Sequence, residues 1–301
     1  MKSRVPIFKD TALQEKFDRD GFVKIKLLSA EKADKLYKYF IDQQDAHDVV
    51  DGLYHSTTHT NNPDLIRKVD QYLKSVVLPE ADKIFQNYEA MMSTYITKQS
   101  GPGSDTKLHQ DPTFVDEQQY VSANIWIALH DIGHQNGNLF FVPGTHRLIN
   151  SLRVTPACPT AYDEVKDLLP KNLHEVPVKK GEAILINHAL VHGATPNLAK
   201  GPRIAAVIAI RSAGADWIYH YLEKDAPYNQ IEKYEVDLET FINLGKDARP
   251  THAKLLGNVT WHFPQISRAN FVEGMKLYTS KNPFKTLLNR LSNVGETLLS
   301  R

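Results

Sequence analysis

The feature that most restricts the fold of this chain is a change in the spacing of its apolar residues near residue 91. Before that point, apolar residues recur three and four positions apart, which is typical of amphipathic helices. From about residue 91 to residue 211 they form short continuous or alternating runs, separated by Gly, Pro and Asn. Such runs are typical of a β-sandwich or β-barrel. We therefore predict a mainly β core with helices packed on it.

Five runs in this central region have the character of strands. Turn dipeptides at Asn136-Gly137 and Pro143-Gly144 separate some of them, because glycine accepts the backbone angles that tight turns need. The predicted strands are residues 92–98, 121–129, 139–142, 183–191 and 204–210.

The segments on either side of the core complete one predicted domain of 301 residues, a length compatible with a single barrel-type fold. About residues 1–90 form a mainly helical cover, interrupted by a short strand in which Val23, Ile25 and Leu27 alternate with lysines. The barrel core covers about residues 91–212. Helices and loops are expected over about residues 213–301, including an amphipathic stripe that begins at Phe284.

The composition argues against several classes of protein. Lys and Arg number 36 against 35 Asp and Glu, so we expect no surface that coats nucleic acid. No apolar run approaches the roughly 20 residues that span a bilayer, so we expect no membrane segment. The only cysteine, Cys158, excludes an internal disulfide framework. Because no signal-peptide pattern precedes the domain, we expect a reducing, cytoplasmic location.

The triplet His109-Gln110-Asp111 is the centre of the functional hypothesis. Residues two apart on a strand project from the same face, so His109 and Asp111 can bind one ion together. Alone, such a pair also fits a surface hydrogen bond. A second histidine from a distant strand favours a metal, because two imidazoles and one carboxylate form the iron site that leaves coordination positions open for substrate chemistry.

The second histidine has two candidates within residues 184–192. Alternation places His188 and His192 on one strand face. At ~3.3 Å per residue they lie roughly 13 Å apart, too far for both to reach one ion. We select His192 because it ends the predicted strand at a glycine-containing turn and because Arg203 follows at a useful distance. His188 is then expected to be a hydrogen-bonded lining residue.

Arg203 begins the strand that follows a predicted turn at residues 193–202, so we expect a hairpin to return it beside His192. A guanidinium there can meet the far carboxylate of a dicarboxylic co-substrate with two charge-assisted hydrogen bonds. The spacing also fits an ordinary arginine at a strand edge. Spacing alone does not separate the two interpretations.

The run at residues 121–129 predicts a strand with two different faces. One face carries Ser122, Asn124, Trp126 and Ala128, and the other carries only apolar residues. We predict that the mixed face lines the site and that the apolar face meets the helices. Trp126 then either walls a co-substrate pocket or belongs to the core.

Four segments spread over about residues 19–211 form a pattern that is more specific than any one motif. They are Asp20-Gly21-Phe22-Val23, His109-Gln110-Asp111, the stretch from Asn136-Gly137-Asn138-Leu139 to Pro143-Gly144-Thr145-His146-Arg147, and Val191-His192-Gly193 with Pro196-Asn197 and Arg203. Together they resemble the phytanoyl-CoA dioxygenase-like branch of the iron- and 2-oxoglutarate-dependent oxygenases.

This resemblance implies a fold and a set of site residues. The fold is a double-stranded β-helix, that is, a jelly-roll or cupin-like barrel. The resemblance implies that His109, Asp111 and His192 bind Fe(II). It also implies that Arg203 anchors 2-oxoglutarate and that Trp126 lines the same pocket.

The resemblance also implies the reaction. Hydroxylation of an unactivated C–H bond of a small organic substrate by O2 releases succinate and CO2, and the protein positions the reactants and excludes water. Thr94, on an early strand of the barrel, is implied as a further contact to 2-oxoglutarate. Relatives that chlorinate carry a small residue in place of the carboxylate ligand, and Asp111 is present here, so hydroxylation is the expected outcome.

Two other functions remain compatible with the sequence. One is a cupin-like metal-dependent isomerase or hydrolase that needs no oxo-acid, and a requirement for 2-oxoglutarate separates it from an oxygenase. The other is a non-catalytic barrel that only binds a ligand, which succinate release excludes. The sequence sets neither the substrate nor the oligomeric state. It shows no phosphate-binding cluster of the kind that a coenzyme A ester favours, so we favour a free small molecule.

Overall fold

The computed structural model describes residues 5–43, 53–149, 151–156, 159–245 and 247–280. Its centre is a six-stranded sheet in which every neighbouring pair is antiparallel. In sheet order the strands are β1 (Phe22–Lys26), β9 (Glu182–Asn187), β5 (Ser122–Ala128), β11 (Arg203–Ser212), β3 (Tyr88–Lys98) and β2 (Tyr54–Ser56).

A second sheet, of four short strands, shares a core with the first. In sheet order its strands are β4 (Thr106–His109), β10 (His192–Ala194), β6 (Leu139–Phe141) and β8 (His174–Val176). Phe141 and Ala194 from this sheet lie in one buried cluster with Trp126, Ile184 and Val207 from the larger sheet. Burial between two antiparallel sheets is the architecture of a jelly roll, and the predicted fold class is confirmed.

Helices cover the outer face of the six-stranded sheet. They are α1 (Thr11–Asp20), α2 (Ala30–Asp42) and α3 (Pro63–Ala81). Leu36 of α2 and Val69 of α3 are fully buried in the same cluster as Ile125 and Ile127 of β5. The described part of the amino-terminal segment thus packs three helices on this face of the sheet.

Strand β5 has the two faces that its sequence predicts. Ile125 and Ile127 pack against the helices, whereas Trp126 and Ala128 lie in the core between the two sheets. Because successive side chains of a strand point to opposite faces, the polar members of the inner face, including Asn124, project toward the barrel interior.

The prediction of helices and loops after residue 213 is wrong for much of that segment. A third sheet joins three strands from it to β7 (Thr155–Pro156): β12 (Ile218–Leu222), β13 (Ile231–Glu235) and β14 (Lys254–Val259). All five residues of β12 are buried, so both of its faces are covered and no polar-apolar alternation marks it as a strand. The remaining helices are α4 (Thr145–Leu148), α5 (Leu238–Asn243) and α6 (Arg268–Ser280).

Two other predictions concern the carboxyl-terminal segment and membrane-spanning helices. The amphipathic stripe that begins at Phe284 lies outside the described residues. Within the described ranges, no helix combines the length and the apolar character needed to cross a bilayer.

Candidate metal centre

Three side chains from separate parts of the sequence converge at one end of the barrel. His109, Asp111 and His192 each place a ligand atom within 4.8 Å of those of the other two. Nε2 of His109 lies 3.7 Å from Oδ1 of Asp111, and Nε2 of His192 lies 3.9 Å from Oδ2 of the same carboxylate. The structure therefore brings together the three residues that the sequence proposes as metal ligands.

Strand pairing explains this convergence. His109 is the last residue of β4, and its Cα partner on the neighbouring strand is His192, the first residue of β10. Paired residues project on the same side of a sheet, and the two imidazole centroids lie 4.3 Å apart. Asp111 lies just beyond the end of β4, where its backbone N–H donates to the carbonyl of His188 at 2.9 Å.

The predicted strand that leads to His192 is wrong in one respect. Residues 183–191 are not one strand, because β9 ends at Asn187 and a turn precedes β10. His192 therefore begins a strand in the second sheet rather than ending one in the first. His188 is fully buried, and its Nδ1 lies 2.9 Å from the hydroxyl of Ser122, so the expectation of a hydrogen-bonded lining residue is confirmed.

Both ligand histidines have one ring nitrogen engaged by the backbone. Nδ1 of His109 lies 2.8 Å from the carbonyl of Lys107, and Nδ1 of His192 lies 2.9 Å from the carbonyl of Leu190. A carbonyl only accepts hydrogen bonds, so Nδ1 carries the proton and Nε2 presents its lone pair to the centre of the cluster. This is the arrangement by which metal-binding histidines are usually oriented.

The carboxylate of Asp111 and its backbone are also held. The amide of Asn124 donates to Oδ2 of Asp111 at 2.9 Å. Nε of Arg153 donates to the backbone carbonyl of Asp111 at 2.8 Å. The Nη1 and Nη2 atoms of the same guanidinium donate to the carboxylate of Glu117. Sequence inspection placed Asn124 on the site-facing side of β5 but gave no signal for Arg153 or Glu117, which are far from the triplet motif.

The charges of the cluster suit a divalent cation. Burial raises the pKa of the Asp111 carboxyl, but the surrounding His192, His188 and His109 outweigh burial and hold that pKa below its ordinary value. Burial, with a smaller contribution from His109, lowers the pKa of His192 to about 4. An anionic carboxylate with neutral imidazoles is the protonation state that binds a metal, and two histidines with one carboxylate suit non-haem Fe(II).

Arg203 occupies a different position from the one expected. It begins β11 in the six-stranded sheet, whereas His192 lies in the four-stranded sheet, so no hairpin joins them. Arg203 is only 2% exposed, and its Nε and Nη1 atoms are buried without a hydrogen-bond partner among the described residues. Its guanidinium carbon lies 5.3 Å from the ring centroid of Trp126. A buried guanidinium with free donors calls for an anion.

The other two predicted co-substrate residues lie on the same inner face. Trp126 is 4% exposed and belongs to the core between the sheets, in contact with the Arg203 cation. Thr94 of β3 is also buried, and its hydroxyl lies 2.8 Å from that of Ser56 and donates to the carbonyl of Tyr95 at 3.0 Å. The hydroxyl of Thr94 therefore has hydrogen-bond partners within the protein, whereas the ring of Trp126 lies beside a cation.

Two neighbours of Arg203 were not singled out from the sequence. Lys98 ends β3 directly opposite Arg203, and Tyr54 pairs with Lys98 on the next strand, β2. Lys98 is fully buried. Burial raises the pKa of Tyr54 to about 12, and its hydroxyl is close enough to interact electrostatically with both Arg203 and Asp111. Tyr54 is thus near both groups of side chains, although 42% of its surface remains exposed.

Comparison with known proteins shows similarity to one family. The family model for phytanoyl-CoA dioxygenase (PhyH) matches residues 17–205. "Phytanoyl-CoA dioxygenase domain-containing protein 1" of Danio rerio is 34% identical over 120 residues, which are 38% of this chain and 41% of that protein. "Phytanoyl-CoA dioxygenase 1" of Oryza sativa subsp. japonica is 29% identical over 148 residues, 46% of this chain and 50% of that protein. The chain thus spans about half the length of these relatives or less.

Solved structures show the same fold at low sequence identity. The epimerase SnoN, crystallised with Fe3+, alpha ketoglutarate and nogalamycin RO, aligns with a TM-score of 0.52 at 18% identity, over 69% of this chain and 85% of that chain. The alpha ketoglutarate dependent carbocyclase SnoK from nogalamycin biosynthesis aligns with a TM-score of 0.50 at 18% identity, over 69% of this chain and 86% of that chain. These similarities show the fold alone.

Proposed function

The chain belongs to the phytanoyl-CoA dioxygenase family, and from that premise we propose that it is an Fe(II)- and 2-oxoglutarate-dependent oxygenase. In this proposal it hydroxylates an unactivated C–H bond of a small organic substrate and releases succinate and CO2. The observation that carries the proposal is the pairing of a two-histidine, one-carboxylate cluster with a buried arginine that has no anionic partner within the ranges the structure describes.

The three ligand residues fit an iron ion. Nε2 of His109, Nε2 of His192 and the carboxylate of Asp111 point at one centre, and their other polar atoms are held by the backbone or by Asn124. Three protein ligands leave coordination positions for an oxo-acid and O2. Bound there, iron and 2-oxoglutarate would supply the electrons that activate O2, which no side chain of the protein can supply.

Arg203 binds and orients the co-substrate in this proposal. A 2-oxo-diacid that chelates the metal through its keto-acid end carries a second carboxylate at its far end, and the free Nε and Nη1 donors of Arg203 suit that group. Trp126, beside the guanidinium, limits the width of the pocket. Tyr54 lies close enough to both ends of the site to interact electrostatically with Arg203 and Asp111.

Two observations favour this function over the alternatives. An isomerase or hydrolase without an oxo-acid gives no reason for a buried, unpaired Arg203, and a barrel that only binds a ligand gives no reason for three converging metal ligands. The curated relatives are named as dioxygenases. Two structural neighbours are described as an epimerase and a carbocyclase, so product analysis is needed to assign hydroxylation.

The first experiment is an anaerobic titration of the apoprotein with Fe(II) and then 2-oxoglutarate. We expect a visible charge-transfer band from the metal-bound oxo-acid, followed by succinate release when O2 is admitted. His109→Ala should abolish both signals, while His252→Ala, which alters an exposed histidine, should leave them unchanged. Absence of the band and of succinate from the wild-type protein would overturn the proposed function.

The second experiment identifies the reaction outcome. A panel of candidate small molecules is screened for stimulated succinate release, and the products are analysed by mass spectrometry after reaction under 18O2. Hydroxylation predicts a product heavier by one oxygen atom that carries the label. A stereoisomer or a new ring without incorporated oxygen would retain the oxo-acid-dependent chemistry but reject hydroxylation.

A further inference from the structure

Lys98 is a second buried cation beside Arg203. It is fully buried at the end of β3, and it is the Cα partner of Arg203 on β11. Residues directly opposite each other on antiparallel strands project to the same face. Ile96 and Thr94, two and four positions earlier on β3, alternate in step with Lys98 and pair with residues of the inner face. The Lys98 side chain therefore enters the barrel interior together with that of Arg203.

The two cationic side chains also meet at the same glycine. A Cβ atom built on Gly137 would lie 3.1 Å from Cδ of Lys98 and 3.6 Å from Nε of Arg203. Gly137 has a φ of +84°, a conformation that glycine adopts without strain. The backbone of this turn therefore lies directly against the side chains of Lys98 and Arg203. Because residue 137 is a glycine, it places no side chain between the two cations and this wall of the barrel.

Neither cation is neutralised within the part of the chain that the structure describes. Nζ of Lys98 donates to the backbone carbonyl of Thr195 at 3.0 Å, which is a neutral acceptor. An ammonium has three donors, and no other acceptor for Nζ is present among the described residues. No carboxylate there forms an ion pair with Lys98 or Arg203. Two neighbouring buried positive charges are costly unless an anion joins them.

We propose that Lys98 is a second cationic contact of the diacid site, so that the far carboxylate of 2-oxoglutarate is held between its ammonium and the guanidinium of Arg203. This inference rests on the proposed function and extends it, because it makes binding of the co-substrate dependent on a proton. The carboxylate of the co-substrate supplies the negative charge that compensates the two cations, and Lys98 supplies hydrogen-bond donors from the strand opposite Arg203.

The proton dependence follows from the surroundings of Lys98. Burial, followed by the charge of Arg203, lowers the pKa of Lys98 to about 7. The other groups that face these cations do not titrate near that pH. Burial raises the pKa of Tyr54 to about 12, the salt bridge to Lys107 holds the pKa of Asp105 below its ordinary value, and burial lowers the pKa of His130, whose Nε2 accepts from a backbone N–H.

The sign of the effect is fixed by these values. Above pH 7 the ammonium of unliganded Lys98 loses its proton, and an incoming carboxylate favours the charged form. Binding of 2-oxoglutarate then requires uptake of a proton, so its affinity should fall as the pH rises above about 7. Below that pH Lys98 is already charged, and the affinity should be nearly independent of this residue's titration.

The test is calorimetric titration of the Fe(II)-loaded protein with 2-oxoglutarate, under anaerobic conditions, in two buffers of different ionisation enthalpy. At pH 8 we expect the wild-type protein to take up most of one proton more than Lys98→Arg, whose side chain stays charged. Lys98→Met should bind at least about tenfold more weakly than the wild type at pH 6.5, and the difference should shrink at pH 8.5. Equal affinity and equal proton uptake in all three proteins would overturn the proposal.

A matched ligand separates contact from structural damage. 2-Oxopentanoate has the keto-acid end and the chain length of 2-oxoglutarate but a methyl group in place of the far carboxylate. Lys98→Met should leave its affinity unchanged. If both oxo-acids are weakened equally, Lys98 supports the fold and does not contact the carboxylate, and the proposal fails. Circular dichroism establishes that each variant is folded.

The same titration distinguishes failure of this inference from failure of the proposed function. If the wild-type protein binds no 2-oxoglutarate, the function itself is rejected. If it binds 2-oxoglutarate with a normal charge-transfer band, and Lys98→Met and Lys98→Arg behave like the wild type, the oxygenase assignment stands and only the role of Lys98 is rejected.

Discussion

The two ends of the site differ in how completely the protein satisfies them. At the metal end, His109 and His192 are each fixed by a backbone carbonyl, and the carboxylate of Asp111 accepts a hydrogen bond from Asn124. At the other end, Arg203 has buried donors that find no hydrogen-bond partner in the described part of the chain, and Lys98 lies beside it. The protein already orients the side chains at the metal end, whereas no described carboxylate compensates the positive charge at the other end.

This difference assigns a separate task to each end. Ligands that are already oriented lose little freedom when a metal binds, so the metal end sets geometry. Buried charges without a partner raise the free energy of the unliganded protein, and an anion that joins them removes that cost. In the proposed function, the cation end would therefore select the charge of the co-substrate. Substitutions at one end should impair one binding event and spare the other.

The largest effect is expected from Asp111→Ala. This variant removes the carboxylate from the cluster and leaves only the two imidazoles, so Fe(II) should be lost and coupled product formation should fall by more than about a thousandfold, the scale of a whole catalytic group. Iron content and product yield are the measurements. Asp216→Ala, at an exposed carboxylate, is the control. Near-normal product formation by Asp111→Ala without added metal would contradict the assignment of the metal end.

Arg203→Met should produce a large effect of a different kind. Removing one partner of a buried charge pair costs about 2–5 kcal/mol, so the affinity for 2-oxoglutarate should fall about a hundredfold or more. Iron content should stay at the wild-type level, because Arg203 belongs to the opposite sheet from His192. Arg268→Met, at an exposed arginine paired with Asp167, is the control. Unchanged use of 2-oxoglutarate would mean that another residue binds its far carboxylate.

The contrast between the two ends also separates what the sequence predicts from what it does not. His109 and Asp111 are recognisable because a two-residue spacing at a strand end places both side chains on one side. The break before His192 is not recognisable, because Ala189, Leu190 and Val191 are buried in the turn and extend the apolar run of β9. The sequence pattern therefore predicts the histidine that lies beside His109 and Asp111 in the structure, but assigns it to the wrong strand.

The cation end was less predictable for a related reason. Arg203 was identified, but the segment before it crosses from one sheet to the other instead of forming a hairpin, and sequence patterns do not show which sheet a strand joins. Lys98 was missed because lysine is rarely fully buried, and a lysine at the end of an apolar strand fits a solvent-exposed position. Only the register between β3 and β11 reveals its partner.

Asn124→Ala should have a smaller effect, confined to the metal end. Its amide donates to the ligand carboxylate of Asp111 at 2.9 Å, and loss of a residue that orients a metal ligand typically costs 10- to 100-fold in metal affinity or activity, so we expect about tenfold. Affinity for 2-oxoglutarate in the metal-saturated protein should hardly change. Asn243→Ala, on the exposed side of α5, is the control. An equal loss at both ends would show that the two ends are not independent.

The smallest effect should appear in the pH dependence of stability. Because the pKa of Lys98 falls from 10.5 in the unfolded chain to about 7 in the folded protein, the unfolded chain binds one more proton between these values. The free energy of unfolding of the wild type, relative to Lys98→Met, should then rise with pH across this window, by up to about 1.4 kcal/mol per pH unit. This gain should shrink as the pH is lowered toward 7, and below about 7 the difference should no longer depend on pH, because Lys98 is protonated in both states. Urea unfolding of the apoproteins at pH 7.5 and 8.5 measures the difference. Saturating 2-oxoglutarate with Fe(II) should flatten this pH dependence, because the bound carboxylate keeps Lys98 charged. Identical slopes for the two apoproteins would place Lys98 in a solvated environment and remove the contrast between the two ends of the site.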